Sequence, residues 1–320
     1  MAQQDSAIII GIDVCKDTLE IFEHESGRAD SIGNDATSIE TWLDSKAGRL
    51  QLAIESTNRY HEAVAEAAYA RGHEVYLIDP YRLTHYRAGL GRRAKTDPED
   101  ARLLARFLAR EAGELRPWRP LPQGEQRFWQ LLKRRATLVR AKVQLRQSLI
   151  DMGTLQDEVD SLLRHCVRMI AKVDRALLAQ AKELGWTESI ARCRAIPGIG
   201  PLTAMALVAT WHRGAFSNVD AFVAFLGLDV RVRQSGRWQG RRKLTKKGHG
   251  EIRRLLFNAA MQARRDALWA PYYLRLRERG LSSTAAFVAL SRKLAKVCFA
   301  LLQNDSRFDP RAHRPACMST

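Results

Sequence analysis

The chain has 320 residues, enough to bury a sizeable core and to hold two or three domains. Apolar residues make up 46% and charged residues 27%, a globular balance that excludes a disordered chain. The formal charge is +17 and unevenly spread: residues 1–112 carry 14 Lys and Arg against 19 Asp and Glu, and residues 113–320 carry 38 against 16. An acidic first third ahead of a basic remainder points to one acidic site and a large footprint for a polyanion. No apolar run approaches ~18 residues, and neither a signal-peptide pattern nor a lipidation signal is visible, so a cytoplasmic setting without a membrane is expected. The five cysteines, Cys15, Cys166, Cys193, Cys298 and Cys317, have neither zinc nor disulfide spacing and read as small hydrophobes.

In chain order, residues 6–14 read as a buried strand that delivers Asp13 at its end. Residues 18–23 read as its hairpin partner, 28–33 as a weaker third strand and 37–46 as a short helix. The run 50–55 is a strand that ends in Glu55. It is followed by an Ala-rich helix over 58–71 that stops at Gly72, and by a strand over 73–78 ended by Asp79-Pro80. The last helix of this region spans roughly 98–111, with Asp97 and Asp100 in its first turn. Strand hairpins followed by β-α-β-α units predict a mixed sheet covered by helices, the order of a ribonuclease H-like fold. Asp97 and Asp100 are three apart and share a helix face, although Thr96 or Asp97 ahead of Pro98 is also a good helix start. Asp13, Glu55, Asp97 and Asp100 together are four acids at the sheet ends of one small α/β domain. Such acids repel one another unless a hard divalent cation neutralises them, which makes all four candidate Mg²⁺ ligands.

Residues 114–123 carry three prolines and read as a linker. Leu131, Leu138, Leu145 and Met152 then recur every seven residues, and Val159, Cys166 and Val173 form a second such seam. The pattern predicts a coiled-coil helical hairpin, closed either within the chain or between chains. From about 191 the chain reads as helical and basic, with helices over 201–211, 219–227, 250–265 and 284–302 and a loose tail at the end. Ile196-Pro197-Gly198-Ile199-Gly200-Pro201 is a Gly-punctuated turn resembling a helix-hairpin-helix motif. Gly198 and Gly200 are candidate phosphate contacts there, or simply the tight turn between packed helices.

Residues 231–254 hold ten Lys and Arg and one acid, Glu251. Arg231, Arg233, Arg237, Arg241, Arg242, Lys243, Lys246 and Lys247 are its candidate nucleic-acid contacts, against the alternative of a solvated charged loop. Ser235 is the only hydroxyl side chain between Ser217 and Thr245. In its basic surroundings it reads as a phosphate contact, or as a nucleophile if something activates it.

The ordered set Ile10-Gly11-Ile12-Asp13, Ile54-Glu55-Ser56-Thr57, Lys95-Thr96-Asp97-x-x-Asp100-Ala101, Ile196-Pro197-Gly198-Ile199-Gly200, Phe225-Leu226-Gly227-Leu228, Ser235-Gly236 and Lys246-x-Gly248-His249 resembles the IS110 insertion-sequence transposases. This family includes Piv-type DNA invertases and RNA-guided recombinases, and the resemblance covers nearly the whole chain. It implies a RuvC-like domain over 1–112, a linker and coiled coil over 113–190, a helical transposase domain over 191–305 and a tail over 306–320. It further implies Mg²⁺ on Asp13, Glu55, Asp97 and Asp100, and Ser235 as a nucleophile forming a phosphoserine ester with DNA. The implied partners are donor and target DNA duplexes, a structured guide RNA, and further copies of the chain in a dimer or tetramer, with a site shared between protomers. The alternatives are a Piv-like DNA invertase, a hydrolytic RuvC-like nuclease or junction resolvase, which needs the acids but not Ser235, and a non-enzymatic nucleic-acid-binding or architectural protein.

Overall fold

The computed structural model describes residues 7–56, 59–91, 97–231, 234–235, 238–239 and 243–313. Its contacts divide the chain into two compact units, Met1–Pro120 and Leu121–Thr320.

The first unit is built on five strands: β1 (Ile8–Val14), β2 (Thr18–Glu23), β3 (Ala29–Gly33), β4 (Leu50–Glu55) and β5 (Glu74–Ile78). Their order is β3-β2-β1-β4-β5. The first three run antiparallel as a meander, and β4 and β5 run parallel to β1. Helices α1 (Ala36–Asp44), α2 (Glu62–Ala70), α3 (Pro80–Gly89) and α4 (Asp97–Glu111) complete it. This mixed sheet flanked by helices is compatible with the expected RuvC-like arrangement.

Strand alternation decides which side chain goes where. Ile10, Ile12 and Val14 of β1 and Leu50, Leu52 and Ile54 of β4 point to one face. There they pack on Ile39, Trp42 and Leu43 of α1 and on Val64, Ala65 and Ala68 of α2. The odd-numbered positions face the other way, toward α4, which lies across β1, β2 and β4. Gly11 makes that approach possible: a Cβ there would overlap the Ala101 carbonyl and the Ala105 amide of α4.

Helix α2 starts at Glu62, later than the pattern predicts, and α3 is a helix the hydrophobic pattern does not announce. Asp79 caps α3, its carboxylate accepting from the Tyr81 amide at 2.8 Å, and Pro80 occupies the first turn. The Asp-Pro pair that ends β5 therefore also starts a helix. The proline-rich segment after residue 114 does not hang free at its start. The Trp118 amide donates to the Val75 carbonyl at 2.6 Å, and the Trp118 ring meets Tyr69 edge-on at 6.0 Å.

The second unit is helical: α5 (Gln123–Ser148), α6 (Gln156–Glu183), α7 (Thr187–Arg194), α8 (Pro201–Arg213), α9 (Val219–Phe225), α10 (Gly250–Ala263), α11 (Ala270–Glu278) and α12 (Ser283–Gln303). Helices α7 and α11 were not evident from the sequence. The described residues between α9 and α10 include the short strands β6 (Val230–Arg231), β7 (Gln234–Ser235), β8 (Trp238–Gln239) and β9 (Lys243–Leu244). The core gathers α8, whose residues 203–210 are all buried, with Leu255, Leu256 and Ala260 of α10 and Leu290, Leu294 and Cys298 of α12. Helices α5 and α6 pack against each other. Near the core they bury Phe128, Trp129, Leu132 and Leu177. Farther out Leu138 and Leu145 are only half-buried, and Ile150, Met152, Leu155 and Val167 are exposed.

Candidate active site

Asp13 and Glu55 follow Ile12 and Ile54, the last residues that β1 and β4 pair with each other, so two parallel strands carry their acids to one end of the sheet. Both acids share the strand face of Gly11 and Ala53, the face covered by α4. Helix α4 brings Asp100, which is only 4% exposed. Ligand oxygens of Asp13, Glu55 and Asp100 all lie within 4.8 Å of one another. Asp97 is the first residue of α4, three before Asp100, and its side chain lies outside the described residues.

Local contacts hold this edge. The Ser56 amide and hydroxyl both donate to the Ile78 carbonyl, at 3.1 and 3.2 Å, fastening the chain just after Glu55 to β5. The Asn34 amide group donates to the Cys15 and Tyr60 carbonyls at 2.8 and 3.1 Å, bracing the turn that follows Asp13. Arg87 of α3 donates to Asp100 Oδ1.

Three half-buried or buried carboxylates are a poor arrangement for a bare protein and a good one for a hard cation. A divalent ion with oxygen ligands at about 2.0–2.6 Å spans such a cluster. The donor set therefore fits a hard divalent cation, which Asp13, Glu55 and Asp100 could hold.

In the second unit, Gly198 has φ +95°, and a Cβ there would lie 2.6 Å from the Ala263 Cβ of α10. It is the residue that lets this turn approach α10. Gly200 precedes α8, with Pro201 at its first turn and open space where a side chain would stand.

The basic loop is closed at its base. Arg231 pairs with Lys243 across β6 and β9, and the Thr245 hydroxyl bonds to the Asp229 carboxylate. Gly227 and Gly248 meet there: a Cβ on Gly227 would lie 2.6 Å from the Gly248 amide nitrogen. Arg253 of α10 donates to the Gly248 carbonyl at 2.6 Å and reaches the Leu226 carbonyl at 3.5 Å. The glycines of the Phe-Leu-Gly-Leu and Lys-x-Gly-His stretches are thus two sides of one contact. Arg231, Lys243, Lys246 and Lys247 are exposed, and Lys246 has a left-handed φ of +56°. Ser235 lies in β7 opposite Trp238 of β8. Its side chain, like Arg233, Arg237, Arg241 and Arg242, lies outside the described residues. Beside the loop, His249 packs on the Trp129 ring at 5.6 Å; burial first, then Lys133 and Arg213, hold its pKa below the usual histidine value.

Arg87 and Arg253 escaped the sequence reading: Arg87 belongs to no motif or charge run, and Arg253 lies in the basic run 231–254 with no feature that singles it out. The one available signal was Asp79-Pro80, which marks the helix that carries Arg87.

An acidic edge on a mixed sheet compatible with a RuvC-like fold, in a chain that also has a basic helical unit, fits an enzyme that acts on DNA. Comparison with known proteins agrees: a transposase family model matches residues 10–156, and the model of the IS116/IS110/IS902 transposase family matches residues 191–274. The chain belongs to the IS110 family of transposases. It is 28% identical to the pilin gene-inverting protein of Moraxella lacunata over 325 residues, covering 96% of this chain and 99% of that protein. The pilin gene-inverting protein of Moraxella bovis matches to the same extent. A 43.6 kDa protein of insertion element IS110 from Streptomyces coelicolor is 28% identical over 162 residues, 50% of this chain and 40% of that protein. Among the described residues no helix is long and apolar enough to cross a membrane.

Proposed function

We propose that the chain is a site-specific DNA recombinase that moves an insertion sequence by Mg²⁺-dependent strand cutting and rejoining. The observation that carries this reading is the convergence of Asp13, Glu55 and Asp100 within 4.8 Å at one sheet edge. Asp97, one turn before Asp100, is assigned as the fourth acid. Mg²⁺ held by these residues would supply Lewis-acid polarisation of a phosphoryl oxygen and a lowered pKa for an attacking hydroxyl. The acids themselves would hold the cation, and one of them would take up the displaced proton.

Ser235 is assigned as the nucleophile. Its Oγ loses a proton and bonds to phosphorus, and one sugar oxygen of the DNA leaves and takes up a proton as a hydroxyl. Attack by the hydroxyl of another strand reverses the ester and frees Ser235. Arg231, Arg233, Arg237, Arg241, Arg242, Lys243, Lys246 and Lys247 hold the DNA phosphates and offset charge developing at the scissile one. Gly198 and Gly200 are assigned a further phosphate contact.

On this reading residues 1–112 are the RuvC-like domain and 113–190 the linker and coiled coil. Residues 191–305 form the helical transposase domain with its helix-hairpin-helix-like turn, and 306–320 the tail. The protein works in the cytoplasm at the nucleoid, as a dimer or tetramer on two duplexes, guided by a structured RNA.

The test is an excision assay in cells carrying the gene with its native flanks, amplifying across the circular junction. Wild type should give a junction, and Ser235→Ala and Asp100→Ala should give none. A junction that survives Ser235→Ala overturns the serine mechanism. A second reading, inversion of a DNA segment, is favoured by the full-length match to two pilin gene-inverting proteins. It predicts inverted segments and no circle in the same assay.

A further inference from the structure

We propose that Arg87 is a resident counter-charge of the acidic centre: it holds Asp100 in place and moderates the affinity of the centre for a divalent cation. The affinity part rests on the metal reading above; the pairing part does not.

Asp100 is nearly out of water, and a buried carboxylate is costly unless a partner neutralises it. Arg87 is that partner. Its guanidinium donates to Asp100 Oδ1, and the two side chains are only 15% and 5% exposed. The contact is built rather than incidental. Asp79 and Pro80 start α3, and Leu83 packs with Leu104 and Leu108 of α4 in one cluster. The Tyr86 ring, next to Arg87 in sequence, meets Phe107 of α4 edge-on at 5.0 Å. Helix α3 is thus fixed against α4, the helix that carries Asp100.

An arginine does not release its proton in a protein, so this charge is permanent. It has two consequences for a centre whose ligand oxygens lie within 4.8 Å of one another. The mutual repulsion of Asp13, Glu55 and Asp100 is relieved before any cation binds. An incoming divalent cation also meets a positive charge on one of its ligands, which weakens its binding. A carboxylate accepts at both oxygens, so Asp100 can keep Arg87 on one and still offer the other. Arg87 acts through Asp100 and is a positioning residue.

The experiment uses the full chain, stripped with EDTA, as wild type, Arg87→Gln and Arg87→Lys. Mn²⁺ is the probe, and free Mn²⁺ is counted by electron paramagnetic resonance. Arg87→Gln keeps a donor but removes the charge, and should bind Mn²⁺ about tenfold tighter or more. Arg87→Lys keeps the charge and should stay near wild type. In EDTA, Arg87→Gln should melt several degrees lower than wild type. That loss should shrink when Asp100→Asn is added, because the charge it answers is gone. Equal or weaker Mn²⁺ binding by Arg87→Gln overturns the moderating role. An equal melting loss with and without Asp100→Asn overturns the counter-charge itself. Failure of wild type to bind Mn²⁺ overturns the metal reading and the affinity claim with it, while the EDTA arm still decides the pairing.

Discussion

Asp100 is buried, ion-paired and carried on the first turn of a helix that lies flat on the sheet. Lys243, Lys246 and Lys247 stand in water on a loop between two helices. On the proposed function the contrast follows from what each group would bind. A divalent cation accepts oxygen ligands within a narrow range of distances, so its ligands must come from strand ends and a helix packed against them. A phosphate backbone is met by charge spread over many contacts, and no single one has to be exact. In the second unit the close contacts of the described loop residues lie at its base, where Gly227, Gly248 and Arg253 meet.

The contrast breaks most completely at Gly11. Gly11→Val would push β1 away from α4 and separate Asp13 from Asp100. The overlap should cost about 3 kcal/mol, read as a lower urea midpoint, together with loss of recombination. Recombination retained at wild-type level would mean that the contact of α4 with β1 does not build the site.

Arg253→Met should act on the other unit alone. It leaves the Gly248 carbonyl short of its donor and should cost about 1–2 kcal/mol of stability. DNA binding should weaken with it, while Mn²⁺ binding stays unchanged. A change in Mn²⁺ affinity would show that the two regions are not independent.

Charge removal on the loop should be milder. Lys243→Gln, Lys246→Gln and Lys247→Gln should each reduce the slope of log K against log salt by about one, without favouring any DNA sequence. A filter-binding salt series measures this, and a sequence-dependent loss would mean that these side chains read bases.

The smallest effect is on pH. Burial and nearby cations hold His249 neutral, and burial first, then Arg71 and Arg49, do the same for His73, whose Nδ1 accepts from the Leu50 amide at 3.3 Å. Both pKa values are lowered in the folded chain. The stability they contribute is thus present above the unfolded-state value of about 6.5 and is lost as pH falls through and below it. Melting temperature should drop between pH 7 and pH 5, and His249→Gln should flatten part of that drop. An unchanged slope in the variant would place the pH dependence elsewhere.

Much of this was legible from one dimension. Hydrophobic runs that end in Asp13 and Glu55 mark strands delivering acids, because strand direction and the end of a run are local properties. The spacing of Asp97 and Asp100 puts them on one helix face for the same reason. The charge split announced two kinds of surface, and the heptads announced α5 and α6. What stayed hidden has a weak local signature or none. Helix α3 carries little amphipathic pattern, because only Leu83 of its ten residues is buried, so the strand-ending Asp79-Pro80 concealed a helix start.

Sequence alone determined the acids, the basic loop, the lone Ser235 within it and the order of the five main strands, since each depends on residue type and spacing within a short stretch. Tertiary structure alone decided that α4 crosses β1 at Gly11, that Arg87 answers Asp100, and that Gly227 and Gly248 close one loop. Those facts depend on which distant segments touch. That is settled by shape and burial, where a missing Cβ or a single buried charge has no periodicity to betray it.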